Sequence, residues 1–204
     1  MKKPRWSLLL LGVFLSPTRL LIQDLKENLE DAKPLLTAWN LFFFGLEIGI
    51  VLALGTLSWS EYFWLPLSLG FALLWIAISR CNEIVYAFYA DTMDKLDEKK
   101  SNTNLSPSDR IKMLMRSYFG LTTNFALIYY LLPTLYEPKL SSFATAFYFS
   151  GVTIATLGYG DIKPIDQASQ LLAVYEVFSG ILLVVLALAV YLAGLGGKTK
   201  QHSC

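Results

Sequence analysis

The residues best suited to chemistry in this 204-residue chain form the run Thr-Leu-Gly-Tyr-Gly-Asp at positions 156–161. Gly158 and Gly160 can adopt a positive φ, which strains any residue that carries a Cβ atom. Two such glycines allow successive carbonyl oxygens to point toward one axis. Thr156 can add its hydroxyl at one end, while the ring of Tyr159 can point away and pack into the surrounding protein. The run therefore offers a row of backbone oxygens rather than a catalytic side chain.

The apolar segment at 141–154 has to position this run. It is about 14 residues long, and a helix needs about 20 residues to cross a bilayer. The segment is therefore predicted to enter the membrane and return. Irregular backbone at membrane depth survives only where it is buried in protein or lines a watery path. A helix here would direct the negative end of its dipole toward the run that follows.

The rest of the chain is also apolar. Its residues are 54% hydrophobic and 16% charged, unlike an average soluble domain. An all-α membrane protein is predicted, with four transmembrane helices and a re-entrant pore helix in each subunit. The net charge of +1 gives no reason to expect a nucleic acid partner. The predicted spans are 38–57, 62–79, 117–136 and 171–195.

Together with its flanks, the 156–161 run resembles the selectivity filter of the potassium channel pore-domain family. The flanks are Phe-Tyr-Phe-Ser at 147–150, Pro164, and Gly180 where family members often have a gating hinge. The resemblance covers roughly 107–196. The segment around Glu176 looks most like bacterial inward-rectifier pores, although the cytosolic domain of that subfamily is not found in this sequence.

The resemblance implies a potassium-selective channel subunit that conducts passively as a homotetramer, because one pore loop per chain requires symmetric assembly. Carbonyl oxygens of the filter would replace the hydration shell of K⁺, the permeant ion. Asp161, Val152 and Glu176 would support the filter. Val152 stands where many bacterial members have a Glu that pairs with the filter Asp, so Asp161 is predicted to lack that partner. The filter residues are Thr156, Leu157, Gly158, Tyr159 and Gly160, with K⁺ at the first four.

Two other functions remain open, a potassium transporter subunit and a membrane sensor that retains a pore-like fold. Transporters with related pore loops carry four repeats in a longer chain. The sequence has none of the common catalytic motifs for nucleophilic, metal or phosphate chemistry, so an enzyme is not predicted. None of the first three predicted spans has a ladder of Arg residues, so a usual voltage sensor is not predicted either.

Three residues within the predicted spans have uncertain roles. Glu47 is either an intramembrane ligand or gating group, or a neutral packing residue with polar neighbours, since no Lys or Arg is predicted within a span. Glu176 is expected to form hydrogen bonds behind the filter rather than to contact ions. Gly180 is either a gating hinge or a close-packing glycine.

The basic residues predict the topology. Fifteen of 17 Lys and Arg residues fall in 1–37, 80–116 and the tail after residue 195. The protein is therefore expected in the plasma membrane with both termini in the cytosol. Residues 18–33 read as an amphipathic helix on the lipid surface. A signal peptide at the N-terminus is the less favoured alternative. The predicted divisions are 1–37, 38–79, 80–116, the pore module 117–197 and the tail 198–204.

Overall fold

The computed structural model describes residue 29 and residues 31–56, 67–96 and 105–200, with side chains in the last helix described as far as residue 186. Several predictions lie outside these residues. They concern the signal peptide, nearly all of the interfacial helix at 18–33, the turn joining the first two spans, and the last four residues of the tail.

Five helices make up most of the described chain. They are α1 (Lys33–Thr56), α2 (Leu67–Leu96), α3 (Pro107–Leu131), α4 (Phe143–Ile154) and α5 (Gln167–Lys200). A 3₁₀ turn (Pro133–Leu135) and strand β1 (Tyr136–Glu137) follow α3, and strand β2 (Lys163–Pro164) precedes α5. The all-α prediction is therefore confirmed for the described residues, apart from this two-stranded pair.

Three of the described helices are long and apolar enough to cross a membrane: Lys33–Gly55, Ser68–Met93 and Gln167–Leu186. Helix α3, predicted as the third of four spans, is not among them. Its first ten residues carry four charges, at Asp109, Arg110, Lys112 and Arg116. It also ends at Leu131, because Pro133 cannot continue the hydrogen-bonded turn. The apolar part of α3 is therefore shorter than predicted.

The start of α3 has the local structure that its sequence predicts. Ser106 is the N-cap, Pro107 is the first helical residue, and Asp109 completes a capping box. The Ser106 hydroxyl accepts from the Asp109 amide at 3.1 Å, and the Asp109 carboxylate accepts from the Ser106 amide at 3.1 Å. These bonds satisfy two amides that the helix itself cannot pair. Lys33 of α1 lies 2.9 Å from the same carboxylate and ties the starts of the two helices together.

Helix α3 is the central helix of the fold, in contact with α1, α2, α4 and α5. Asn40 donates to Ser117 at 3.3 Å, and seven residues further along both helices Asn124 donates to Glu47 at 3.1 Å. Because the contact positions advance in the same direction along both helices, α1 and α3 run parallel. Asp91 near the end of α2 forms an ion pair with Arg110 near the start of α3. The start of α3 therefore lies beside the end of α2.

The short helix α4 and the strands hold the segment between them in place. Helix α4 has 12 residues and begins at the N-cap Ser142, so the predicted short helix is confirmed. Beyond it, β1 and β2 pair antiparallel, with Tyr136 opposite Pro164 and Glu137 opposite Lys163. The chain between α4 and β2 is thus anchored at both ends, and this chain contains residues 156–161.

Candidate functional site

The backbone at 156–161 alternates between two conformations. Gly158 has φ 53° and Gly160 has φ 76°, which confirms the positive φ predicted for both glycines. Thr156 also has a positive φ, 57°, although its side chain carries a branched Cβ. Leu157 and Tyr159, between them, do not share this conformation. The loop therefore has the alternation that turns successive carbonyl groups toward one side.

The carbonyl of Val152 holds the start of the loop. It accepts from the amide of Leu157 at 2.9 Å and from the amide of Gly158 at 3.3 Å. The amide of Thr156 donates to the Thr153 carbonyl at 2.9 Å. Carbonyls in the last turn of a helix have no partner within the helix, so the loop supplies the partners that α4 lacks. Val152 supports this loop through its backbone, whereas the sequence drew attention to its side chain.

Asp161, at the far end of the loop, has a hydrogen-bond partner. The hydroxyl of Tyr148 on α4 donates to the Asp161 carboxylate at 2.8 Å. Asp161 lacks the Glu partner that many bacterial members carry at the position of Val152, and Tyr148 supplies a different donor from the same helix. The phenol reaches Asp161 from four residues earlier on the same helix, so a neutral donor links α4 to the end of the loop.

Glu176 joins three helices behind the loop. Its side chain is fully buried. The hydroxyl of Tyr129 on α3 donates to one carboxylate oxygen, and the hydroxyl of Ser150 on α4 donates to the other, each at 2.5 Å. Ser150 also contacts the Thr122 carbonyl at 2.8 Å. Glu176 therefore has the hydrogen-bonding role predicted for it, and it connects α5 to the helix that carries the loop.

Gly180 lies against the end of α4. A Cβ atom at this position would lie 2.6 Å from Cγ1 of Ile154 and 3.2 Å from the Ile154 carbonyl oxygen. Its φ is not positive, so the glycine is required for space and not for an unusual backbone conformation. Of the two roles considered for Gly180, these contacts favour close packing.

Glu47 is buried between three helices and has partners from two of them. Asn124 of α3 donates to the Glu47 carboxyl at 3.1 Å, so Glu47 has a polar neighbour, as predicted. Arg80 of α2 lies 3.7 Å away and is itself buried. The expectation that no basic residue in a span could pair with Glu47 is therefore wrong. The predicted second span stopped at residue 79, whereas the apolar part of α2 continues to Met93 and includes Arg80.

Two residues of the loop have little contact with their own chain. Leu157 is 58% exposed and Tyr159 is 68% exposed. Tyr159 was predicted to pack its ring into surrounding protein, and a single chain does not supply that packing. Large apolar side chains on α5 are exposed in the same way, among them Leu171, Val174 and Phe178.

Sequence reasoning missed three residues of these sites, Tyr148, Arg80 and Gly120. Tyr148 was noted as part of α4 but without a role, because its partner is 13 residues away in a loop of irregular conformation. Arg80 gave a usable signal, since a single Arg directly after an apolar run can belong to that run's helix. Gly120 has no local signal, because its role depends on Glu47, which lies 73 positions earlier.

Comparison with known proteins identifies the segment that contains this loop. Residues 117–194 match the family model described as an ion channel. The match agrees with the resemblance of the filter run to potassium channel pores. The match includes α4, the 156–161 loop and most of α5. It leaves out α1 and α2.

Three curated relatives are potassium channels by name. The two-pore potassium channel 1 of Arabidopsis thaliana is 39% identical over 84 residues, which are 40% of this chain and 22% of that protein. The voltage-gated potassium channel Kch of Escherichia coli is 44% identical over 46 residues, 22% of this chain and 11% of that protein. A hyperpolarization-activated voltage-gated potassium channel of Methanocaldococcus jannaschii is 42% identical over 41 residues, 20% of each chain.

The chain thus spans between 11% and 22% of the length of these relatives. The likeness concerns the pore segment and does not extend to the whole proteins. No solved structure matches the chain.

Proposed function

We propose that the chain is a subunit of a potassium-selective channel that conducts K⁺ passively through a filter formed by Thr156, Leu157, Gly158, Tyr159 and Gly160. The carbonyl oxygens of this run take the place of the water around the ion. Residues 117–197 form the pore module, and the helices before it flank the pore. In this proposal α3 is the outer helix and α5 is the inner helix of the pore.

The observation that carries the proposal is the backbone alternation at Thr156, Gly158 and Gly160, in a loop that directly follows a short apolar helix. Each conformation of this kind costs on the order of 1–3 kcal/mol for a residue with a Cβ, and Thr156 is such a residue. A loop that only connected two helices would have no need of this strain. Strain of this kind is typical of sites where backbone groups bind a ligand.

The proposal requires four identical subunits. One chain contributes one loop, and a ring of carbonyl oxygens needs several loops around an axis. The exposed Leu157 and Tyr159, with the exposed apolar residues of α5, supply the contact surface for neighbouring copies. Native mass spectrometry of the protein in lipid nanodiscs measures the number of copies. We expect four, and a monomer or dimer would contradict the proposal.

Electrical recording tests conduction and selectivity. The purified protein in planar bilayers is expected to produce unitary current steps, with reversal potentials under bi-ionic conditions that favour K⁺ over Na⁺. Slow, saturable uptake coupled to an ion gradient would instead favour a potassium transporter. Silence in the bilayer, with normal assembly, would favour a sensor that retains the pore fold.

The Gly158→Ala variant tests the filter itself. A Cβ at Gly158 has open space around it in the single chain, so the expected damage comes from its φ of 53°. The strain is about 1–3 kcal/mol in each subunit, enough to abolish current or selectivity when four subunits share the axis. Gly49→Ala is the matched control, because Gly49 also has open space and lacks a positive φ. Selective current in Gly158→Ala would place the ion path elsewhere.

A further inference from the structure

A buried charged cluster lies outside the pore segment, formed by Glu47 of α1 and by Arg80 and Glu83 of α2. All three side chains are at most 7% exposed. Glu47 lies 14 residues into α1 and nine before its end, so it is roughly 21 Å and 14 Å from the two helix ends. A carboxyl group at that depth is costly unless it is paired or neutral.

Arg80 lies closer to the Glu83 carboxyl group than to the Glu47 carboxyl group. Its terminal nitrogen lies 2.9 Å from Glu83, whose carboxyl also accepts from the indole of Trp39 at 2.8 Å. Its Nε lies 3.7 Å from Glu47, beyond hydrogen-bonding distance. The guanidinium also stacks on Phe43, 3.9 Å from the ring centre. Arg80 is therefore held at Glu83, and Glu47 receives only the weaker part of its charge.

The other contacts of Glu47 are shaped for a carboxyl group close to α3. A Cβ on Gly120 would lie 2.6 Å and 2.7 Å from its two oxygens, so only glycine leaves room for it there. Asn124 supplies one amide donor, and its amide nitrogen also donates to the Gly120 carbonyl at 2.8 Å. The pairing of Glu47 with α3 is thus built from neutral groups.

Other titratable and charged groups lie on the described helices around α1. Cys81 of α2 is a buried thiol near Glu47. On α3, the charged residue nearest to Glu47 along the helix is Arg116, whose guanidinium lies 5.9 Å from the ring of Phe44. The titratable side chain of α4 is Tyr148, which is bonded to Asp161. Lys33, at the start of α1, pairs with Asp109.

We propose that Glu47 is a proton-binding site within the membrane and that its protonation state sets how tightly α1 packs against α3. A protonated Glu47 is neutral and fits in the space beside Gly120, where it accepts from the Asn124 amide. When the proton leaves, the anion is poorly compensated in that position. It then draws Arg80 away from Glu83 or moves away from α3. In either case the packing between α1 and the pore segment changes with pH.

Infrared spectroscopy of the full chain in lipid measures the proton directly. We expect the carbonyl band of a protonated carboxylic acid to be lost in Glu47→Gln, and unchanged in Glu137→Gln, which alters an exposed carboxylate. In Glu83→Gln, Arg80 is released toward Glu47, so the band should disappear at a lower pH than in the parent. Absence of any Glu47-dependent band at every pH, or no shift in Glu83→Gln, would overturn the proposal.

Disulfide cross-linking measures the packing. Asn40 and Ser117 are buried and hydrogen-bonded across α1 and α3, so Asn40→Cys with Ser117→Cys reports that contact in a background lacking Cys81 and Cys204. We expect the cross-linking yield, relative to the same pair with Glu47→Gln, to fall several-fold as pH rises through the titration of the infrared band. The Gln background has the same thiol chemistry and cannot titrate at position 47. An identical pH dependence in both backgrounds would overturn the coupling of the proton to packing.

Discussion

Individual residues of the loop after α4 combine backbone strain with specific support. Thr156 adopts a conformation that its Cβ opposes, and the neighbouring amides are held by the carbonyls of Val152 and Thr153. The far end is held by the hydroxyl of Tyr148 on Asp161. The loop is therefore fixed at both ends by α4. Removing the Tyr148 hydroxyl tests this support without changing residues 156–160.

Tyr148→Phe keeps the ring and removes the hydroxyl that donates to Asp161. Without this hydrogen bond, the end of the loop is no longer tied to α4. If the proposed filter is correct, we expect current in the variant to decline several-fold faster at constant voltage. The measurement is macroscopic current in reconstituted patches.

Tyr89→Phe is the control for this prediction. Tyr89 is also exposed, at 46%, and lies on α2. The Tyr89→Phe substitution should leave the rate at which the current declines unchanged. A Tyr148→Phe channel whose current is as stable as that of the parent would show that the bond to Asp161 does not support the conducting filter.

At the scale of the helices, the contact between α5 and α4 is decided by Gly180. A methyl group there would meet Ile154, two residues before Thr156. Forcing extra volume into a packed contact costs about 1–3 kcal/mol, which the better helix propensity of Ala offsets by about 1 kcal/mol. Gly180→Ala should therefore lower the thermal unfolding midpoint and reduce current. Differential scanning of the protein in detergent measures the first effect.

A second substitution separates packing from hinge motion. Ile154→Ala removes the Cγ1 atom that the new methyl group would meet. Gly180→Ala should therefore cost less stability in the Ile154→Ala background than in the parent. If this cost disappears in the double variant but its gating remains impaired, Gly180 is a hinge as well as a packing residue.

The start of α3 gives a prediction about pH. The Lys33 ammonium and the hydroxyl and amide of Ser106 lower the pKa of Asp109 to about 2. Because the folded pKa is depressed, the stabilisation is complete above the unfolded value of about 3.9 and is lost as pH falls through about 2. Carbon-detected NMR of the Asp109 carboxyl should show a midpoint near pH 2. Lys33→Gln and Ser106→Ala should each raise the midpoint, and a parent midpoint near 4 would contradict the ion pair and the cap.

At the scale of the whole molecule, the helices place the charged ends of α1, α2 and α3 together. Lys33 meets Asp109, and Asp91 meets Arg110, at one end of the fold. The parallel course of α1 and α3 agrees with a chain that crosses the membrane between them and returns. The positive-inside rule places this end in the cytosol, which remains a prediction.

Labelling with a membrane-impermeant thiol reagent tests this orientation. In a background without Cys81 and Cys204, Lys112→Cys is expected to react only from the inside and Ser141→Cys only from the outside. Both positions are exposed, and they lie before and after the apolar part of α3. In sealed cells only Ser141→Cys should be labelled, and in opened cells both variants should be labelled, so each variant is the control for the other. Reaction of Lys112→Cys in sealed cells would reverse the proposed topology.

The sequence by itself determined the features that depend on neighbouring residues. The glycines at 158 and 160 predicted positive φ, the length of the apolar segment before them predicted a short helix, and Ser106 with Pro107 predicted the start of α3. Each follows from the conformations that a residue and its nearest neighbours allow, so no knowledge of the fold was needed.

Only the tertiary structure decided which distant side chains meet. Arg80 became a neighbour of Glu47 because α1 and α2 both pack against α3, and Gly120 accommodates the Glu47 carboxyl because α3 runs parallel to α1. Burial of a polar group requires a partner nearby, but a sequence pattern shows only that a partner is needed. Which helix supplies it is determined by the packing of apolar faces over the whole chain, and that packing cannot be read from any one segment.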